Sequence, residues 1–200
     1  MSSWTTSEYQ WTTMESWLPG GVGGGDPIAA STELATRWLR SFGPATAADL
    51  QWWTGWTGAT TKAALARSGA EEVQLESKVG WVAAGDARRS TPPEPWVALL
   101  PALDPTTMGW KERDWYLPSA LVPALFDRNG NAGPTIWVDG EIVGGWIQLP
   151  TGEIAHRVLA DVGRERLHDI EEAIAAFERL IDGARVNVRF PAPLQRELLS

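Results

Sequence analysis

The chain has 200 residues, no cysteine and a formal net charge of −8, with 44% hydrophobic and 21% charged residues. That length carries one large domain or two small ones with an ample apolar core. The absence of cysteine excludes a disulfide framework and a thiolate metal site, and the acidic balance excludes a protein that coats nucleic acid by bulk charge alone.

No segment approaches the roughly 20 apolar residues of a membrane-spanning helix, so no membrane contact is expected. Residues 1–10 have neither the basic start nor the apolar centre of a signal peptide. A cytoplasmic protein is the expectation. The charge is uneven: residues 26–90 hold seven acidic and seven basic side chains, residues 91–200 sixteen acidic and ten basic. A neutral first half leaves room for a local basic patch.

Trp4, Tyr9, Trp11, Met14, Trp17 and Leu18 show no sustained periodicity, and a start so rich in tryptophan should pack on something. The run Leu18-Pro-Gly-Gly-Val-Gly-Gly-Gly25 reads as a flexible linker. Asp26-Pro27 is a helix-start signal, and Leu34, Ala35, Trp38, Leu39 and Phe42 form an apolar stripe that ends at Gly43-Pro44. Thr46-Ala-Ala-Asp49 resembles a capping box and opens a second helix through Trp53. After the turn Thr54–Gly58, a third helix spans Ala59 to Ser68, with Gly69 as its left-handed cap. Glu71–Glu76 and Val79–Val82 then form a hairpin across Ser77-Lys78. Helix, turn, helix and hairpin in this order predict a winged helix with the third helix as groove reader. The same unit also serves elsewhere purely for packing or dimerisation.

Asp86–Pro95 is the clearest linker, giving a winged helix-turn-helix over 26–90 and a second domain over 91–200, with 1–25 as a separate leading piece. The run Trp96–Leu103 is apolar enough for a strand buried on both faces. Asp104-Pro105 breaks it, and Lys111, Glu112, Arg113 and Asp114 stand between Trp110 and Trp115. Either this loop carries functional groups, or the two tryptophans pin it while the charges face water. A short helix over Ser119–Phe126 and a loop over Asp127–Pro134 follow. Thr135–Val138, Asp139-Gly140 and Glu141–Ile147 give a strong hairpin signal. A third strand over Ile154–Leu159 and a bend or bulge at Gly144-Gly145 suggest a small curved sheet or barrel. Leu167, Ile170, Ile174, Phe177 and Ile181 line a long helix that should cover it, Arg185–Phe190 alternates like an edge strand, and Pro193 starts a terminal turn. The fold class is therefore α+β: a winged helix-turn-helix followed by a small antiparallel β-barrel or curved sheet covered by a long helix.

Taken together, Phe42-Gly-Pro-Ala-Thr-Ala-Ala-Asp-Leu50 with Trp52-Trp53, Leu99–Asp104 with Gly109-Trp-Lys-Glu-Arg113, Gly133-Pro-Thr135 and Val138–Trp146 carry a resemblance over residues 27–200. The chain resembles the winged-helix DNA-binding domain-containing proteins related to the AlkZ and YcaQ DNA glycosylases. The resemblance implies tandem winged helices followed by a small β-barrel, and makes Trp4–Leu18 the tail of a preceding winged helix. It also implies a catalytic Gln-x-Gln or Gln-x-Asp motif in that preceding unit, where an amide orients the water that attacks the sugar. This chain does not carry that motif. Its nearest string, Gln74-Leu75-Glu76, falls on a wing strand, so no catalytic residue is assigned.

Three readings follow. The leading one is a DNA-binding module, the non-catalytic C-terminal portion of a glycosylase-like protein, with DNA contacts at Lys62, Arg67, Lys78, Arg88, Arg89, Lys111 and Arg113. If the catalytic unit is supplied, the implied activity is repair of alkylated or crosslinked bases. A second is an enzyme built on the carboxylates Asp104, Asp114 or Asp127, although Asp104 is as readily a turn former or a partner that orients Arg113. A third is a fragment completed by a protein partner packing on Trp4, Trp11 and Trp17. His156 and His168 are too few for a metal cluster, and no phosphate-binding glycine loop is present, so neither metal nor cofactor is expected.

Overall fold

The computed structural model describes residues 11–76, 78–88, 91–185, 188 and 190–200. They divide into two compact units: one runs to residue 90 and includes Gly109–Lys111, and the other comprises Thr91–Met108 and the chain from Glu112 onward.

Among the described residues the first unit begins with a four-residue helix, α1 (Met14–Trp17), whose N-cap Thr13 accepts from the Ser16 amide. Trp11 and Trp17 are 92% and 74% exposed, and residues 19–28 are exposed throughout. Trp4 lies outside the described residues. Helix α2 (Pro27–Phe42) starts where Asp26 accepts from the amides of Ile28 and Ala29 and proline occupies the first turn. It buries Ala35, Trp38 and Leu39, while Leu34, at the edge of the stripe, stays exposed.

Helix α3 (Ala47–Thr54) opens with a full capping box. Thr46 Oγ1 accepts from the Asp49 amide, and Asp49 Oδ2 accepts from the Thr46 amide. Helix α4 (Gly58–Arg67) is capped by Thr57, and Gly69 beyond its end takes φ +69°. Strands β1 (Glu71–Leu75) and β2 (Lys78–Val82) pair antiparallel from Glu71↔Val82 to Leu75↔Lys78. Ala45 bridges Trp81, joining the start of α3 to the hairpin.

The second unit is built on a four-stranded antiparallel sheet in the order β3 (Val97–Leu100), β4 (Thr135–Val138), β5 (Glu141–Gln148), β6 (Ile154–Val158). β3 is shorter than the apolar run suggests and only half-buried, because it is an edge strand paired to β4 alone in that sheet. The β4–β5 turn places Asp139 at φ +49° and Gly140 at φ +96°, the left-handed pair that a two-residue hairpin requires. The β4–β5 register slips between Ile136 and Trp137, where Ile136 faces Gly144 and Trp137 faces Ile142, leaving Val143 as the extra residue.

Helix α5 (Val122–Leu125) extends a 3₁₀ turn at Ser119–Leu121. Helix α6 (Gly163–Ile181) lays Ile170 and Ile174 against Ile136, Val138, Val143, Trp146 and Ile154 to make the core. Leu167 faces solvent at the helix start. Helix α7 (Pro193–Leu198) buries Leu194 and Gln195, and Gln195 Nε2 donates to the carbonyls of Pro134 and Trp146. The alternating segment 185–190 falls partly outside the described residues, and its described positions are not in a strand.

Candidate nucleic-acid interface

Helix α4 carries the first group of site residues. Thr57 Oγ1 accepts from the Thr60 amide and lies 2.9 Å from Thr60 Oγ1, while Thr61 is buried and donates its hydroxyl to the Thr57 carbonyl. The threonines are thus engaged in capping and packing. Ala64 and Leu65 face the core, which leaves Lys62 and Arg67 as the outward charged groups. Arg67 lies in the last turn, where a cation complements the helix dipole, and its Nη1 makes a long contact of 3.4 Å to the Ala63 carbonyl.

On the hairpin, Lys78 is exposed at the start of β2, and Arg88 is exposed beyond the hairpin. Arg89 lies outside the described residues. Gln74 Nε2 donates to the carbonyls of Glu76 and Lys78, clasping the turn between the strands. Its amide therefore has a structural task, and Glu76 sits at the turn with φ +40°.

The tryptophan-flanked loop resolves into two different pieces. Lys111 belongs to the first unit: its amide donates to Asp49 Oδ1 at 2.9 Å, and the preceding Trp110 donates Nε1 to the Phe42 carbonyl at 2.9 Å. The Trp110 and Phe42 rings meet edge-on at 5.3 Å. Arg113 belongs to the second unit, half-buried, with Nη1 donating to the Thr107 carbonyl and Cζ 5.1 Å from the centre of the Phe126 ring. Trp110 pins its segment, but Trp115 is 60% exposed, and the fully buried Tyr116, stacked on Trp137 at 5.3 Å, takes the anchoring place in the second unit. Sequence spacing placed Lys111 and Arg113 side by side. Packing separates their surroundings.

The carboxylates considered for catalysis act in turns. Asp104 Oδ1 accepts from the Thr106 amide, and its carbonyl accepts from the Thr107 hydroxyl. Asp127 accepts from the amides of Asn129 and Asn131 and from Asn131 Nδ2. The Asn131 side chain above all holds the Asp127 carboxyl below its ordinary value, so it is ionised where a general acid would need its proton. Asp114 is exposed. Among the described residues no cluster of three or more histidine or acidic side chains could hold a metal, and no helix is long and apolar enough to cross a membrane. His156 and His168 each face one glutamate, Glu171 and Glu172, at 3.4 Å.

The sequence reading missed the part played by α3. Asp49 is 2% exposed, and its two oxygens accept from Thr46 and Lys111. One helical turn on, Trp52 and Trp53 are 44% and 41% exposed. The adjacent tryptophans were the available signal.

No curated protein matches the chain. Among solved structures, the chain is similar to the Streptomyces sahachiroi DNA glycosylase AlkZ, with a TM-score of 0.72 and 21% identity over 84% of this chain and 47% of that one. The chain thus spans about half the length of that protein, and the likeness is one of fold. The model of the family described as DNA glycosylase AlkZ-like matches residues 2–180. With most of its length matched, this chain belongs to the AlkZ-like DNA glycosylase family.

Proposed function

We propose that this chain is a DNA-binding protein in which residues 26–90 form a winged helix-turn-helix and residues 91–200 a barrel-like α+β domain, with 1–25 a separate segment ahead of them. The observation that carries the reading is the succession α2, α3, α4, β1, β2 in a chain of a DNA glycosylase family, with Lys62 and Arg67 outward on α4. In this arrangement α4 enters a groove, and Lys62, Arg67, Lys78, Arg88 and Arg89 lie against phosphates, with Lys111 and Arg113 as further contacts. Arg113 is the weakest of these, since its guanidinium already serves the Thr107 carbonyl and the Phe126 ring.

The sequence holds no Gln-x-Gln or Gln-x-Asp string, and in the nearest one Gln74 clasps the hairpin. These residues are read as a binding portion, with glycosylase activity on alkylated or crosslinked bases as the alternative where a Gln-x-Gln or Gln-x-Asp unit is supplied. Titrating a labelled DNA duplex with the protein at several salt concentrations tests the reading. Binding that weakens steeply with salt is expected. No binding at low ionic strength would overturn it.

The exposure of Trp11 and Trp17 favours a second reading, in which residues 11–18 present a contact for another winged-helix unit. Mixing the chain with such a unit and following tryptophan emission tests it. An unshifted spectrum counts against it.

A further inference from the structure

One groove lies wholly within the second unit and uses none of the cations assigned to DNA. Its volume is about 820 Å³, with Pro95, Trp96 and Val97 on one wall and a stripe of α6 from Glu165 to Arg179 on the other. At about 1.5 Å of rise per residue that stripe is about 21 Å long, the span of about six residues of extended chain.

Val97 opens this groove to a free strand edge. β3 ends its sheet, and the Asp139 amide donates to the Trp96 carbonyl; by the alternation of an antiparallel pair, Ala98 and Leu100 then bond toward β4 while the backbone groups of Val97 and Leu99 turn outward. Among the described residues nothing outside the sheet bonds the Val97 amide or carbonyl. The side chains of Val97 and Leu99 pack with Ile170 and Ile174, so α6 lies over the face next to this edge. Ala173 and Ala176 line the helix wall with no more than methyl groups and leave the space open.

The two ends of the groove differ in charge. Asp139 accepts the Trp96 amide through Oδ1 and meets Arg166 through Oδ2 at 3.0 Å, which sets Trp96 beside the start of α6. Arg166 is engaged there by Asp139 and by Asp169 at 2.7 Å. Glu165 is exposed and has no ion pair among the described residues, and Glu172 faces His168 at 3.4 Å. At the far end Arg179 is exposed, again without an ion pair among the described residues.

An open strand edge beside a helix is complementary to extended backbone, and carboxylates at Glu165 and Glu172 repel phosphate. We infer that the groove takes an extended peptide segment of another protein, which adds to the sheet beside β3 with a basic side chain against Trp96 and Glu165 and an acidic one toward Arg179. This contact is separate from the DNA reading and does not depend on it.

The test uses the whole chain and two labelled hexapeptides of one composition, fluorescein-Lys-Thr-Val-Thr-Val-Glu-amide and fluorescein-Glu-Thr-Val-Thr-Val-Lys-amide. Anisotropy is expected to show one order binding more tightly, because the ends of the groove attract opposite charges; equal affinity overturns the proposal. Glu165→Gln with Glu172→Gln, both at exposed positions, is expected to weaken the preferred peptide roughly two- to 25-fold, the range for two exposed ion pairs. Ala176→Leu, also exposed and compatible with a helix, is expected to fill the groove and abolish binding with the melting temperature unchanged. Methylating the backbone nitrogens of the valines in one copy of the peptide and of the threonines in another blocks strand pairing in one copy only. Hydrogen exchange at the Val97 amide is expected to slow in the complex. If both methylated copies bind as the parent does, or Val97 exchange is unchanged, strand addition is overturned. A chain that dimerises and ignores both peptides assigns the edge to a second copy, and displacement of the peptide by duplex DNA assigns the groove to nucleic acid; either overturns the proposal.

Discussion

Asp49 Oδ1 accepts the backbone amide of Lys111 at 2.9 Å, across 62 positions of sequence. The same carboxylate caps α3 through Oδ2, so one buried side chain fastens both a helix start and a distant segment. A carboxylate this deep is tolerated because donors surround it. Asp49→Ala should therefore destabilise the protein by about 2–4 kcal/mol, more than a lost cap alone, because it also orphans the Lys111 amide. Asp49→Asn, which keeps an acceptor, should cost less. Denaturant unfolding followed by tryptophan emission measures both, and equal effects would refute the double role.

Gly109 stands two residues before Lys111, and a Cβ there would come within 2.5 Å of Phe42 Cδ1. Phe42 is held between Trp110, Trp53 and Trp38 and has little room to yield. Gly109→Ala is expected to cost about 1–3 kcal/mol by overpacking. A melting temperature equal to that of the parent would show that the ring moves freely.

Asp139 holds β3 from the β4–β5 turn, its Oδ1 accepting from the Trp96 amide at 2.8 Å while Oδ2 faces Arg166 at 3.0 Å. Both ion-pair partners are partly in solvent, so the pair itself is worth little and the amide bond and turn dominate. Asp139→Asn, which keeps an acceptor and tolerates positive φ, should lose under about 1 kcal/mol. Asp139→Ala loses the acceptor and strains φ, and should cost about 2–3 kcal/mol. Hydrogen exchange at the Trp96 amide should rise only in the alanine variant.

The Asp127 carboxyl lies below its ordinary value because Asn131 donates to it. Since the folded value is the lower one, its contribution to stability is present above the unfolded-state value of about 3.9 and is lost as pH falls through the folded value. Acid should loosen the Asp127–Asn131 loop only below that range. Asn131→Ala should raise the Asp127 titration toward the ordinary carboxylate value, as read from its carboxyl carbon resonance. An unchanged titration would place the cause elsewhere.

For duplex DNA, Lys62→Gln and Arg67→Gln should each reduce the slope of log affinity against log salt by about 0.9 if each neutralises one phosphate. A slope unchanged in both variants would remove α4 from the interface.

The sequence by itself determined the elements whose cause is local. Asp26 and Thr46 mark helix starts because their side chains reach the first free amides. Asp139-Gly140 marks a hairpin because both positions take left-handed angles. The stripe from Ile170 to Ile174 marks a covered helix face by its spacing. Tertiary structure alone decided what each side chain near residues 104–116 does, because partners there are chosen by packing across long stretches of chain. Lys111 and Arg113 are two residues apart, yet one is tied through its amide to Asp49 and the other lies over Phe126. Trp110 anchors and Trp115 does not, a difference that composition cannot express, since both are tryptophan beside charge. The exposure of Trp52 and Trp53 was equally hidden. Apolar residues on a short helix signal burial until the surrounding elements show which side they leave open.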